Sequence, residues 1–189
     1  MKSLIWVVAV ICLAATSTHA YTQVQPVYAN IEVKNTNGDP MLLGCCEVTL
    51  LKQNAYKQWF EPAFSNYQPD TAFTRQIQPL LADKTIEIFL GTWCGDSRRE
   101  VPRMLKILES AGMSTEKVKL IFVSNAPDMY KQSPQHEEQG KNIKRVPTLI
   151  IYSQQQEIGR IIEYPVESLE KDLLRILRQE KYVPNYSGM

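Results

Sequence analysis

The most constraining feature of the chain is an ordered alternation that begins near residue 85. Residues 85–90 are rich in Ile and Phe and predict a strand, followed at once by Gly91-Thr92-Trp93-Cys94-Gly95. Residues 95–111 then carry Val101, Met104, Leu105 and Leu108 at helical spacing, and Gly112 ends the run. Residues 118–124 predict a second strand. The polar stretch 125–142, with Pro127 and Pro134, has room for a short helix. Residues 148–152 and 158–163 predict two more strands, joined by the polar turn Ser153-Gln154-Gln155-Gln156. An amphipathic helix over 166–181 closes the order, with Leu169, Leu173, Leu174 and Leu177 inward. Strand-helix-strand units favour a parallel core, and the terminal hairpin adds an antiparallel edge. The fold class is therefore α/β, a mixed sheet flanked by helices.

Upstream the signals are weaker. Ile31-Glu32-Val33-Lys34 alternates like a short strand and a turn-rich segment, 35–40, follows it. From Glu47 to about Tyr67 the spacing predicts a helix in which Pro62 marks a kink or break. Its aromatics Tyr56, Trp59, Phe60, Phe64 and Tyr67 are read as a face packed on the core. Asp70 is the expected N-cap of a further helix running to about Ala82. The organisation expected is an N-terminal extension over 21–84, a main domain over 85–182 and a short tail over 183–189.

Residues 1–20 read as a targeting segment. Lys2 is followed by an apolar run from Leu4 to Ala15, then by Thr18-His19-Ala20, whose small residues suit cleavage after Ala20. The run falls short of the roughly 20 apolar residues that cross a bilayer, which favours a cleaved signal over a retained anchor. No later stretch is apolar enough to span a membrane. An exported protein is expected, with the bacterial periplasm as the leading location and full secretion as the alternative. Removing Lys2 leaves 20 Lys and Arg against 20 Asp and Glu from an original 21 and 20, so no basic face argues for nucleic acid.

Three cysteines remain after the signal: Cys45, Cys46 and Cys94. An odd number outside the cytoplasm cannot pair off within one chain and points to thiol chemistry. Cys94 stands where a strand gives way to a helix. There the first amides lack internal partners and the helix dipole is positive, which favours the nucleophilic thiolate. Ser97, one turn on, is placed to donate to the sulfur. Arg98 and Arg99 add positive charge, with Asp96 opposing them. Cys45 and Cys46 are adjacent, and a strained bridge between neighbours is disfavoured. They are read either as small buried residues near the start of a helix or as a resolving thiol for Cys94. His136, beside Glu137 and Glu138 in a polar loop, is read as a solvated surface residue rather than a metal ligand.

Gly91-Thr92-Trp93-Cys94-Gly95-Asp96-Ser97, taken with Arg145-Val146-Pro147-Thr148, resembles the thioredoxin family, in particular its exported bacterial members with a Trp-Cys-Gly-Asp-Ser motif. The resemblance covers roughly residues 85–180. It implies a thioredoxin-like fold, a cis bond before Pro147 facing Cys94, and a backbone at Val146 that pairs with a bound peptide. Trp93, Gly95, Asp96, Val146 and Pro147 would then form the docking surface around Cys94 and Ser97. Two departures matter. Serine at 97 replaces the second cysteine of the dithiol members, and Ile88 stands where the family has a buried aspartate, six residues before the cysteine. Glu87, on the opposite strand face, is read as a satisfied carboxylate. The function implied is monothiol exchange with thiols or disulfides of exported proteins or small molecules, without a cofactor or metal. A non-catalytic peptide-binding module and a peroxide-sensing thiol are the alternatives.

Overall fold

Lys84–Leu90 forms a strand buried on both faces toward its C-terminal end, with Ile88, Phe89 and Leu90 fully enclosed. It is the third strand of a six-stranded mixed sheet in a computed structural model that describes residues 27–35 and 37–188. The strands are β1 (Ile31–Lys34), β2 (Pro40–Cys46), β3 (Lys84–Leu90), β4 (Val118–Phe122), β5 (Thr148–Ser153) and β6 (Gln156–Ile162), in spatial order β1-β2-β4-β3-β5-β6. β3 and β4 are parallel, with Leu90 opposite Phe122. All other neighbours are antiparallel. The helices are α1 (Asn54–Asn66), α2 (Thr71–Ile77), α3 (Gly95–Ser110) and α4 (Leu169–Leu177). The protein is thus a mixed α/β fold with a mixed sheet flanked by helices. The targeting segment proposed for residues 1–20 lies outside the described residues. Among the described residues no helix is long and apolar enough to cross a membrane.

Alternation along the strands divides the interior in two. Ile86, Ile88, Leu90, Leu120, Phe122, Leu149, Ile151 and Ile161 face the helices and form the main core. Phe89, Ile121, Val123, Val146 and Ile150 line the opposite face, where Trp93, Cys94, Ile143 and Tyr152 pack over them. The helical layer is anchored as its periodicity predicts, by Tyr56 and Phe60 of α1, Val101, Leu105 and Leu108 of α3, and Leu169, Leu173, Leu174 and Leu177 of α4.

Several local expectations are corrected. The span from Glu47 to Tyr67 is not one helix. A 3-10 turn, Val48–Lys52, is separated from α1 by extended Gln53 and by Asn54 at φ +48°, and α1 then runs through Pro62 without a break. Asp70 caps α2 by accepting from the Ala72 amide at 2.8 Å, but the α-helix stops at Ile77 and ends as a 3-10 turn, Gln78–Leu80. The stretch 125–142 holds only the 3-10 turn Pro127–Met129. Instead of a helix, side chains tie it together: Glu138 accepts from the Ser133 amide and hydroxyl at 3.0 and 2.5 Å. The last helix starts at Leu169 rather than Val166. Asp172 takes the amides of Val166 and Glu167 at 2.6 and 3.2 Å, which holds them in a loop, and Ser168 caps the helix through the Lys171 amide.

Residues 40–46, without a strand assignment from the sequence, supply β2. Met41 to Cys46 are all buried. Cys45 and Cys46 therefore close a strand rather than stand at the start of a helix, with Cys45 opposite Ile121 and Cys46 opposite Leu120. The segment 31–46 is thereby built into the same sheet as residues 84–162. The hairpin between β5 and β6 turns on Gln154 and Gln155 at φ +50° and +66°, the paired left-handed conformation that matches strand twist.

Candidate functional site

Cys94 is the N-cap of α3. Its amide donates to the Gly91 carbonyl at 3.0 Å and its carbonyl accepts the first helical bond from Arg98, also at 3.0 Å. The side chain makes no capping bond to the helix amides. It turns instead toward the loop before β5, where its sulfur lies 3.2 Å from the Val146 carbonyl oxygen across 52 residues of sequence. The Val146–Pro147 peptide is cis. Cys94 is half-buried, whereas Cys45 and Cys46 are each 1% exposed.

Ser97 is fully buried, and its Oγ accepts from the Gly91 amide at 3.2 Å. The hydroxyl thus serves as an acceptor for the turn that carries Cys94, rather than as the expected donor to the sulfur. The two arginines are diverted as well. Arg98 donates from Nε to the Thr92 carbonyl at 2.5 Å, with its guanidinium over the Trp59 ring at 5.9 Å. Arg99 is paired with Asp96 at 2.7 Å and with Glu100 at 2.5 Å. The Arg99 pairs offset its charge on the flank of α3, while Arg98 is tied to the carbonyl two residues before Cys94.

Trp93 is held by its indole N–H, which donates to the Val123 carbonyl at 2.8 Å. Tyr130, 54% exposed, lies against it at a ring separation of 6.1 Å and a tilt of 35°. Nothing in the sequence marks Tyr130 as part of the site, since it belongs to the polar stretch after β4. Gly91 is a second residue whose role is set in space, because a Cβ there would come within 2.5 Å of the Trp93 ring. Gly95 opens α3 with nothing within 4 Å of a would-be Cβ. Beside Cys94 the site thus joins Trp93 and Tyr130 on one side with Val146 and buried Pro147 on another.

Cys45 and Cys46 are not brought to Cys94. β4 lies between β2 and β3, which puts the β2 backbone about 10 Å from β3 at ordinary strand spacing. Cys94 meets Val146, before β5, on the side of β3 away from β2. Burial raises the Cys45 thiol above its ordinary value, and burial pushes Cys46 up to about 12. The Cys46 sulfur donates to the Leu43 carbonyl at 3.3 Å.

Glu87, on the second sheet face, accepts from Lys141 and, at 3.1 Å, from the Tyr152 hydroxyl, with Lys119 3.8 Å away. It is a satisfied carboxylate. His136 is mostly exposed and lies 3.4 Å from Glu138. Among the described residues no group of three or more His, Cys, Asp and Glu side chains is placed to hold a metal.

No protein-family model matches the chain, and no curated protein matches it. Among solved structures, a protein of unknown function from Pseudomonas aeruginosa is similar with a TM-score of 0.49 at 14% identity, covering 70% of this chain and 91% of that one. An HIV epitope-scaffold is similar with a TM-score of 0.49 at 14% identity, covering 71% of this chain and 93% of the scaffold.

Proposed function

We propose that the chain is a thioredoxin-like thiol-disulfide exchange protein that works through a single thiol, Cys94 of Cys94-Gly95-Asp96-Ser97. The observation that carries this reading is the contact between the Cys94 sulfur and the Val146 carbonyl, made by the one half-open cysteine among the described residues. It joins the two motif segments, 91–97 and 145–148, on which the resemblance to the thioredoxin family rests. An extended peptide paired with Val146 would bring its disulfide to that sulfur.

The reaction is an exchange of bonds between sulfurs. The Cys94 thiolate attacks one sulfur of a substrate disulfide, a new S–S bond forms, and the other substrate sulfur leaves as a thiolate. A second thiolate then attacks the mixed disulfide and returns Cys94. A disulfide needs Cα atoms within about 7 Å, so the separation of β2 from Cys94 favours a thiol from the substrate or a small thiol as this second group. A substrate thiol gives isomerisation, and a small thiol gives reduction or removal of a thiol cap. The proposed setting is outside the cytoplasm, in a bacterial periplasm, after cleavage following Ala20.

Incubation with a peptide disulfide, quenching with acid and intact-mass measurement test the proposal. The wild type is expected to carry one peptide on Cys94, removable by added thiol, and Cys94→Ser none. Adducts on Cys45 or Cys46 alone, or no adduct at all, would overturn it.

A further inference from the structure

The C-terminal tail reaches back to the loop that faces Cys94. Asn185 donates from its amide side chain to the Tyr164 carbonyl at 2.9 Å, and the Tyr186 and Tyr164 hydroxyls are 3.1 Å apart. These contacts lay the Tyr186 ring against the Arg145 guanidinium, 4.0 Å from its centroid. Hydrogen bonding to Tyr164, and next to Glu163, pushes the Tyr186 phenol up to about 12, so the ring stays neutral at ordinary pH. Arg145 in turn donates to both Glu163 carboxylate oxygens at 3.1 and 3.4 Å. The Glu163 backbone amide donates to the Pro147 carbonyl at 2.7 Å. Arg145 and Pro147 flank Val146, whose carbonyl accepts from the Cys94 sulfur.

The loop is therefore gripped on both sides of the one carbonyl that meets the thiol. The tail itself is not part of the core. Between it and β6 lies a cavity of about 330 Å³, bounded by Arg145, Thr148, Ile176, Tyr182, Pro184 and Tyr186 among others. Tyr186 thus acts on the loop through its ring and hydroxyl contacts, and the packed interior continues on the other side of the cavity.

We propose that Tyr186 is a positioning residue for Cys94: stacked on Arg145, and through the Arg145–Glu163 pair, it holds the Val146 carbonyl against the sulfur. This rests on Cys94 being the reactive thiol. The carbonyl engages the Cys94 S–H and covers that side of the sulfur while the site is empty, so an incoming electrophile must displace it. Releasing the grip should speed the reaction of Cys94 with a small electrophile that needs no docking surface.

The test is iodoacetamide alkylation of the full chain at neutral pH, followed cysteine by cysteine by peptide mass. Tyr186→Ala is expected to speed Cys94 about two- to fivefold, the range that loss of an exposed cation–ring contact supports. Tyr186→Phe, which keeps the ring on Arg145 and loses only the hydroxyl contact with Tyr164, should have a smaller effect. Arg145→Ala should act like Tyr186→Ala, and the double variant should add nothing, as expected for residues on one route. Cys45 and Cys46 should stay protected throughout. An unchanged or slower Cys94 rate in Tyr186→Ala overturns the proposal. So does an equal effect of Tyr186→Phe, or additivity with Arg145→Ala. A parallel rise at Cys45 and Cys46 overturns it too, because the tail would then be stabilising the whole fold. If Cys94 is inert in wild type and Tyr186→Ala alike, the exchange function falls with it.

Discussion

Gly91 and Trp93 fit together without room for a methyl group: a Cβ on Gly91 would lie 2.5 Å from Cε2 and 2.6 Å from Nε1 of the indole. The indole cannot swing aside freely, because its N–H is bonded to the Val123 carbonyl at 2.8 Å and Tyr130 lies against it. The glycine is required by its neighbour and not by its own backbone angle.

Gly91→Ala should therefore disturb the site before it disturbs the rest of the fold. The expected cost is about 1–3 kcal/mol, the usual range for overpacking a filled interior, read as a lower urea midpoint with an unchanged slope. Near-ultraviolet circular dichroism should lose part of its tryptophan signal as the indole leaves Val123. An unchanged midpoint together with an unchanged aromatic spectrum would show that Trp93 adapts at no cost.

Ser97→Cys should give Cys94 an internal resolving thiol. Position 97 lies one helical turn after Cys94 and is fully buried. A thiol held there makes the second exchange intramolecular, with the effective concentration that implies. Mixed disulfides on Cys94 should shorten in lifetime, and reductase turnover with a dithiol donor should rise. In the wild type they should persist until a free thiol is added. Cys45→Ser with Cys46→Ser is the control. Rapid release by the wild type that the double serine variant loses would identify a β2 cysteine as the resolver, and rapid release by both would refute the monothiol account.

Stability should fall at alkaline pH, and part of that fall belongs to Cys46. Burial raises its thiol from the ordinary 9.0 to about 12 in the folded protein. Below pH 9 the thiol is neutral in both states and its contribution is fully present. Between about 9 and 12 the unfolded chain loses the proton while the folded chain keeps it, so stability drops as pH rises through that window. Buried Tyr56 and half-buried Tyr67, Tyr152 and Tyr182, also shifted upward, extend the fall to higher pH. Urea midpoints of wild type and Cys46→Ala at pH 8, 9.5 and 11 should show a shallower decline for the variant. Parallel declines would remove Cys46 from the account.

What the sequence discloses follows from how local each signal is. The junction at Cys94 is legible because an apolar strand, a glycine and an amphipathic helix follow one another within a few residues. β2 is not, because Met41 to Cys46 are buried on both faces and show no alternation, and Gly44 stands among them. The split at Gln53 is hidden because Leu51, Tyr56 and Phe60 are buried whether one helix or two elements carry them. Tyr130, Gly91 and the chain from Tyr186 to Arg145 and Glu163 depend on contacts made across the fold. The side-chain directions of Ser97, Arg98 and Arg99 likewise follow from partners the spacing does not name.

The placement of β2 decides where the sheet ends. β4, Val-Lys-Leu-Ile-Phe, has four of its five residues buried, and as a border strand it would offer unpaired backbone groups on an apolar ribbon to any other chain. β2 covers that border and passes it to β1, four residues long, whose Glu32 and Lys34 are exposed and charged. Tyr56 of α1 donates to the Glu32 carboxylate at 2.9 Å, fixing one of those charges at the rim. The same hairpin that completes the sheet thus guards against stacking of one molecule on another, and a fragment beginning at residue 85 would lose that protection against aggregation.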